Sequence, residues 1–560
     1  MASSSSFHAS LPALQMRPFT TPTLPLPNYD RAILSYQRAE AASLPYEMTM
    51  DDLLRLSDKF WDFHRDPIIS VDGGAFTIMT IQYNLCAGTI ARYAVQQPDM
   101  LPLVEDLLRF RKHGQFLMTE VGHGIDMANI ETSATLLPNG EFVLHTPTPQ
   151  AAKCMPPTLP AGRPCIAVVF ARLIVDGEDR GIRPFVVALN DGHQMCIGVT
   201  ARLFPERGGA SPVNHSMTYF NNVRLPSNSL LGSLEKPASA KANMVQATWR
   251  IAVGSMALGC LAIPMMQTYA TIGAMYSLRR HVGPPESRIP IMHFRTQQIP
   301  ILTATAQVYV MEAFARWATR IFRDTSLDTR VRHGIAAVLK AIMVQHSQAS
   351  AIAISDRCGA QGLFAHNQIT STYGVMRGIA IAEGDILALS IRLVSELLQG
   401  RYKLPAPRDA SSLLARHEAG LFDDKRAVMA SAKHHRGDET NRLVLPYCVS
   451  MVESIGHRMA YEAAVSEGVQ PELIDLYVAS VVKLDPAWYV ENAQLGRQAQ
   501  QEIETIALDA VLPHLGSLIR DMQMESYITA PIVSDDRWDQ FMRTLQVFEG
   551  NAETAFGYRI

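Results

Sequence analysis

Four short segments carry residues whose types and spacing could do chemistry. The first is Met118-Thr119-Glu120-Val121-Gly122-His123-Gly124, followed by Ile130-Glu131-Thr132-Ser133-Ala134-Thr135. Glycines at 122 and 124 let a backbone approach a flat group closely, although an ordinary glycine-rich turn capped by threonine would read the same. The second pairs Tyr276-Ser277-Leu278-Arg279-Arg280 with Phe294-Arg295-Thr296-Gln297-Gln298. A guanidinium is a planar fork that grips phosphate oxygens two at a time; the plain alternative is a solvated helix end. The third, Arg357-Cys358-Gly359-Ala360-Gln361-Gly362-Leu363, is a glycine turn. The fourth is Ala382-Glu383-Gly384-Asp385, preceded by the apolar run Ile379-Ala380-Ile381. Burial in such surroundings raises a carboxyl's pKa and strengthens it as a base. In solvent, the same two acids would only favour a helix N-terminus.

The elements that must position these segments change character along the chain. Residues 1–30 are rich in Ser and Pro and are expected to be a disordered arm or one lying on the surface. Residues 31–116 read as a helical domain, as in Leu101 to Phe110, where Leu103, Leu107, Leu108 and Phe110 share a face opposite Glu105, Asp106 and Arg109. Residues 117–232 are punctuated by Gly, Pro and Asn around short Val-, Ile- and Phe-rich runs such as Ile166 to Ala171 and Phe185 to Leu189, which predicts a middle β-domain. Leu137-Pro138-Asn139-Gly140-Glu141 reads as a hairpin-type turn. Long apolar helical segments return over 233–402 as a helix bundle. Lys403 to Arg408, with two prolines, reads as a linker, and 409–550 as a second helical domain. No strand runs into a G-x-G-x-x-G turn and a helix, which disfavours a dinucleotide-binding Rossmann unit.

Composition excludes several classes. A net charge of -3 carries no basic footprint of a nucleic-acid binder. The seven cysteines are scattered and odd in number, which fits reduced core thiols in an intracellular protein. Ile251 to Leu278 carries no charge and is long enough to span a bilayer. Gly254, Ser255, Gly259, Pro264, Gln267, Thr268 and Tyr269 interrupt it, so a helix buried on all sides fits better than membrane insertion. His434-His435 lies among charged residues and reads as a solvated loop, and no metal site is expected. No G-x-S-x-G element supports a hydrolase.

Taken in order, the four segments resemble the acyl-CoA oxidases, within the broader acyl-CoA dehydrogenase superfamily, from about residue 50 to 545. The family patterns are T-E-x-G-H-G with E-T-x-A-T, Y-S-x-x-R-R with F-x-T-Q-Q, C-G-G-H-G-Y, and E-G-E/D. The resemblance implies a mainly α fold with a central β-domain: an N-terminal helical domain, a middle β-barrel-like domain, a helix bundle and a second C-terminal helical domain. It implies FAD as cofactor, with Thr119, Gly122 and Gly124 at the flavin ring. Arg279 or Arg280 would pair with the diphosphate, Arg295 would add a second positive contact beside Gln298, and the backbone of Gly359 and Gly362 would approach the FAD of a partner subunit. Glu383 is implied to be the catalytic base, taking the α-proton of an acyl-CoA or related acyl thioester while the β-hydrogen leaves as hydride. O2 then reoxidises the flavin and yields H2O2. A homodimer is implied, and an intracellular setting, peroxisomal or cytoplasmic, although Gly557-Tyr558-Arg559-Ile560 is no Ser-Lys-Leu-type signal.

Departures from the family bear on the pocket. Lys153-Cys154-Met155-Pro156-Pro157 stands where the family has K-W-W-P-G. Two aromatic residues are missing, and Pro157 has no N–H to give. Ile386 stands where a polar residue is usual. These changes suggest a specialised substrate. The alternatives are a dehydrogenase that hands electrons to another protein, a biosynthetic flavoenzyme acting on an unusual acyl group, and a flavin-free scaffold.

Overall fold

The computed structural model describes residues 8–21, 26–431 and 436–551. His434, His435 and the C-terminal Gly557 to Ile560 lie outside the described residues. Part of the N-terminal arm is docked on the fold, as in the second of the two expected alternatives rather than the disordered one. Ser10 and Ala13 are buried, and the Ser10 hydroxyl donates to Asp66 at 2.7 Å. Its other partner is Tyr527, 517 residues away, so the docking site does not exist in the local sequence.

Helix α1 (Asn28–Ser43) packs on α2 (Gly73–Thr80), and the buried Asp72 joins them. Its carboxylate caps α2 through the N–H of Ala75 and receives Arg38 from α1 at 3.0 Å. Helix α2 runs into a π-helical segment (Ile81–Ala87) and then α3 (Gly88–Ala94). The π segment is buried along most of its length, and bulges of this kind are frequent at functional sites.

The β-domain begins at His113, four residues before the sequence changes character. Strand β1 (His113–Leu117) is buried at every position, so it shows no alternation. It lies against the π segment, and the Gly114 N–H donates to Gln82 at 2.6 Å. The remaining strands are β2 (Ser133–Leu136), β3 (Phe142–His145), β4 (Lys153–Pro157), β5 (Cys165–Val175), β6 (Glu178–Asn190), β7 (Val199–Leu203), β8 (His215–Phe220) and β9 (Val223–Leu225). β5 pairs in parallel with β1 and β2 and antiparallel with β6, while β4, β8 and β7 form a second sheet. The Leu137–Glu141 turn joins β2 to β3, closed by the Leu137 N–H to the Glu141 carbonyl. Phe142, Phe185, Phe220 and Leu189 belong to the core cluster of this domain.

The bundle comprises α4 (Trp249–Cys260), α5 (Ala262–Arg279), α6 (Arg295–Arg323), α7 (Thr329–Arg357), α8 (Ile369–Ile379) and α9 (Ile386–Leu398). Trp249–Arg279 is apolar and long enough to cross a membrane, yet 83% of its most apolar window is buried in the fold. A Cβ on Gly259 would sit 2.4 Å from Leu339 of α7, so the glycine that interrupts the run admits a neighbouring helix. Beyond the bundle come α10 (Leu413–Ser431) and α11 (Cys448–Glu467). The buried Arg458 of α11 pairs with Glu418 at 2.6 Å and Glu462 at 3.0 Å, and donates to the Pro405 carbonyl. The proline linker is thereby pinned to the second helical domain.

Candidate active site

Glu383 sits on the turn between α8 and α9. Its backbone is left-handed, with φ of 54°, and Gly384 follows at 107°. Few non-glycine residues adopt this region, and holding one there needs the surrounding structure to impose it. The surroundings do so on both sides. Lys340 of α7 donates to the carbonyls of Ala382 at 2.5 Å and Gly384 at 2.6 Å. Ser255 of α4 donates to the carbonyl of Glu383 itself. Asp385 then caps α9 through the Ala388 N–H at 3.0 Å. The reading of these acids as a helix cap therefore holds for Asp385 and fails for Glu383.

The Glu383 side chain turns inward to α4. Its Oε2 lies 1.0 Å from where a Cβ on Gly254 would be, so only glycine leaves it room. Asn84 of the π segment donates to the same oxygen at 3.3 Å, and to the Arg250 carbonyl at 3.2 Å. The Oδ1 of Asn84 is buried without a partner. Arg250 is buried and donates to the carbonyls of Asn84 at 2.7 Å and Leu53 at 3.0 Å.

Burial pushes the Glu383 carboxyl up to about 8, against the opposing pull of Lys340 and then Arg250. Burial also lowers Lys340 to about 8 and Arg250 to about 9. The result is a carboxyl poised near neutrality within a frame of two cations and an amide. Such a group can take a proton from a weak carbon acid. Arg250, Asn84 and Lys340 were not singled out from the sequence, and Ser255 was read only as an interruption of the apolar run. Two signals existed. Arg250 is the last charge before the uncharged stretch to Leu278, and Lys340 is the only Lys, Arg, Asp or Glu between Arg332 and Asp356.

The other segments fall into two groups. Thr119 lies at the end of β1, and its carbonyl accepts the Cys154 N–H at 2.9 Å. Gly122 and Gly124 are exposed beyond it, and a Cβ on Gly124 would meet nothing within 4 Å. Glu120, between them, is fully buried and pairs with the equally buried Lys153 of β4 at 2.9 Å. It also accepts the N–H groups of Glu131 at 2.7 Å and Thr132 at 3.0 Å. Pro157 is buried and its carbonyl accepts the Tyr36 hydroxyl. The next N–H, that of Thr158, faces the Ser216 hydroxyl.

The arginines and the glycine turn gather at one end of the bundle. Gln297 ties them, donating to Ser277 at 2.8 Å and to the Arg357 carbonyl at 3.0 Å. Arg279 is already engaged with Asp535 at 2.6 Å and the Ile532 carbonyl at 3.0 Å. Arg295 pairs with Asp509, while its Nη1 is buried without a partner. Arg280 is exposed and makes no side-chain hydrogen bond or ion pair with any described residue. Gln298 spends its amide donors on the carbonyls of Met292 and His293. Those two bonds secure the start of α6. Gly359 has φ of 61° and open space around it, whereas a Cβ on Gly362 would strike the Ser355 carbonyl at 2.2 Å. Arg357 stands 17 residues beyond Lys340 on α7, a separation of about 25 Å along a helix. One chain therefore does not bring the arginine cluster to Glu383.

A cavity of about 1340 Å³ opens at the start of α4, lined by Arg55, Arg92, Arg320, Arg323 and Arg332 with Trp249 at its wall; Glu383, Asn84, Arg250 and Lys340 are not among its lining residues. Trp249 precedes Arg250 on the same helix, and Asp324 is the acid among the lining residues. Among the described residues no cluster of His, Cys, Asp or Glu could hold a metal ion.

Residues 255–398 match the family described as the acyl-CoA oxidase C-alpha1 domain. A plant relative, the peroxisomal acyl-coenzyme A oxidase 2 of Arabidopsis thaliana, is 26% identical over 397 residues, which is 65% of this chain and 55% of the relative. The chain thus spans little more than half the length of that protein. The crystal structure of acyl-CoA oxidase 3 from Yarrowia lipolytica superimposes with a TM-score of 0.80 at 18% identity, covering 96% of this chain and 87% of that one. An acyl-CoA oxidase from Caenorhabditis elegans, solved bound with FAD, ascaroside-CoA and ATP, matches with a TM-score of 0.69 at 17% identity, over 92% of each chain.

Proposed function

We propose, from the match of residues 255–398 to the acyl-CoA oxidase C-alpha1 family and the likeness of the whole fold to acyl-CoA oxidases, that this chain oxidises the Cα–Cβ bond of an acyl-CoA to the trans-2-enoyl product and reduces O2 to H2O2. The observation that carries the proposal is Glu383: a carboxyl raised to about 8 by burial and held on a strained turn by α4 and α7. An α-proton beside a thioester is a weak acid, and a base of that strength suits it.

The residues present fit FAD. The Nη1 of Arg295 is buried without a partner, Arg280 is unengaged, and the glycine backbones at 124 and 359 are open to close approach. Arg280 and Arg295 would hold the diphosphate, and Thr119 with Gly122 and Gly124 would face the ring. When bound, FAD supplies the acceptor for the β-hydrogen and the path for electrons to O2. The protein's own part is to hold the thioester against Glu383, take the α-proton on its carboxylate and exclude water. Arg250 and Lys340 favour the ionised carboxylate before the proton moves.

In the cavity beside Trp249, Arg55, Arg320 and Arg323 pair with Asp51, Glu467 and Asp58, while Arg92 and Arg332 have no carboxylate partner among the described residues; those two support a phosphate-bearing carrier such as CoA. The separation of the arginine cluster from Glu383 supports a dimer in which one subunit's cluster completes its partner's cofactor site. The relative's name, peroxisomal, supports a peroxisomal setting within the cell. The altered Lys153-to-Pro157 strand, with Met155 exposed, supports a substrate other than a bulk fatty acid. Peroxide release in air, with an acyl-CoA and no added acceptor, tests the oxidase reading. Reduction of an artificial acceptor without peroxide would point to a dehydrogenase instead.

A further inference from the structure

We propose that Lys340 is a positioning residue for the base, tying the backbone on both sides of Glu383 so that its carboxylate has one location. The inference rests on the reading of Glu383 as the base and concerns how that base is held. Three consecutive carbonyls, those of Ala382, Glu383 and Gly384, are each bound by a side chain from a bundle helix. Two of the three go to one ammonium. Lys340 is fully buried, and among the described residues no carboxylate lies within ion-pair distance of it. A buried cation without a paired anion is costly, and capping two carbonyls alone needs only a neutral donor. What the charge adds is its effect on Glu383.

The charged groups around Glu383 are Lys340 from α7, Arg250 from α4, Asp385 on the same turn, and Arg92, which faces Arg250. Asn84, from the π segment, is neutral. Of the two cations that favour the carboxylate, Lys340 has the larger effect. Two consequences follow from one residue. The ties hold the left-handed turn in place, and the ammonium lowers the pH at which the base is ionised.

The test uses the full-length holoenzyme and follows flavin reduction by an acyl-CoA without oxygen, across pH. Lys340→Met, of similar length and without charge or donors, should keep its FAD. It should reduce flavin about 100-fold more slowly, the size expected of a base misplaced by roughly an ångström. Its rise in rate with pH should move to higher pH, because a cation beside the carboxylate has gone. Lys340→Gln restores a donor without the charge, so it should recover part of the rate and none of the pH shift. A merely structural lysine would lower the melting temperature and leave the rate per bound flavin and the pH profile unchanged, which would overturn the proposal. If Lys340→Met does not fold, Ser255→Ala decides: a slower rate with an unmoved pH midpoint is expected, and a wild-type rate would overturn it. Glu383→Gln run alongside separates the two readings. Reduction persisting in Glu383→Gln rejects the base itself; its loss there, with Lys340→Met behaving as wild type, rejects only the positioning role.

Discussion

Glu383 holds a side chain where backbone preference, solvation and charge are each locally unfavourable, and every departure is compensated by a named neighbour. Gly254 is the least conspicuous of these. Gly254→Ala places a methyl on the carboxylate, so FAD should stay bound while the rate of anaerobic flavin reduction falls by about 100-fold or more, readable by stopped flow. The raised pKa fixes a pH dependence. kcat/KM, which reports the free enzyme's base, should climb as pH rises towards about 8 and level off above it. The same shift has a stability consequence. Between the ordinary value of 4.5 and about 8, the folded chain keeps a proton that the unfolded chain has lost, so this group's contribution falls as pH rises through that window. Lys340 acts in the adjoining window: between about 8 and 10.5 the folded chain has released a proton that the unfolded chain retains, so stability recovers with rising pH there. Glu383→Gln should therefore raise the melting temperature more at pH 8 than at pH 5; calorimetry at the two values checks the sign. Glu383 was legible in the sequence because E-G-D after an apolar run is a compact pattern. Arg250, Lys340, Asn84 and Ser255 were not, because each reaches the turn from a distant segment and carries no motif of its own.

At the scale of elements, one buried ion pair ties the turn after β1 to the start of β4. Glu120 follows β1 and Lys153 opens β4, and both side chains are wholly inside. Burial lowers the Lys153 ammonium to about 8 while Glu120 raises it. Lys153→Met would strand the Glu120 carboxylate, whose remaining partners are two backbone N–H groups. The expected cost is about 3–5 kcal/mol, measured by denaturant unfolding, with loosened flavin retention because Thr119 and Gly122 flank Glu120. β5 and β6 were legible as Val- and Ile-rich runs. β1 was not: His113-Gly114-Gln115-Phe116 has neither alternation nor a β-branched residue, and it is a strand because the π segment and β5 bury it on both sides. The arginine pair shows the same limit. Its chemistry was readable, but that Asp535 occupies Arg279 and leaves Arg280 unengaged depends on a segment some 250 residues away.

Across the whole molecule, the order of helices, β-domain, bundle and second helical domain followed from where periodicity and Gly/Pro punctuation change. The docking of Ser10 between Asp66 and Tyr527 did not, since it joins the two ends of the chain. The dimer proposed above belongs to this scale. Lys340 and Arg357 lie on one rigid helix, so no rearrangement of a single chain brings the arginine cluster to Glu383. Cofactor retention and dimerisation should therefore be linked. Sedimentation at falling protein concentration should show FAD leaving as the dimer dissociates, and a fully flavinylated monomer would contradict this. The arginine-lined cavity adds a salt dependence: KM for an acyl-CoA should rise with ionic strength while kcat holds, as for a screened phosphate site.

The central claim is that the carboxylate of Glu383 removes the α-proton, and oxygen-free mixing of the purified flavoprotein with a panel of acyl-CoAs addresses it most directly. The expected result is loss of the oxidised flavin absorbance with at least one acyl-CoA in the wild type, and none in Glu383→Gln with equal bound FAD. Bleaching of equal extent and rate in Glu383→Gln would contradict the claim.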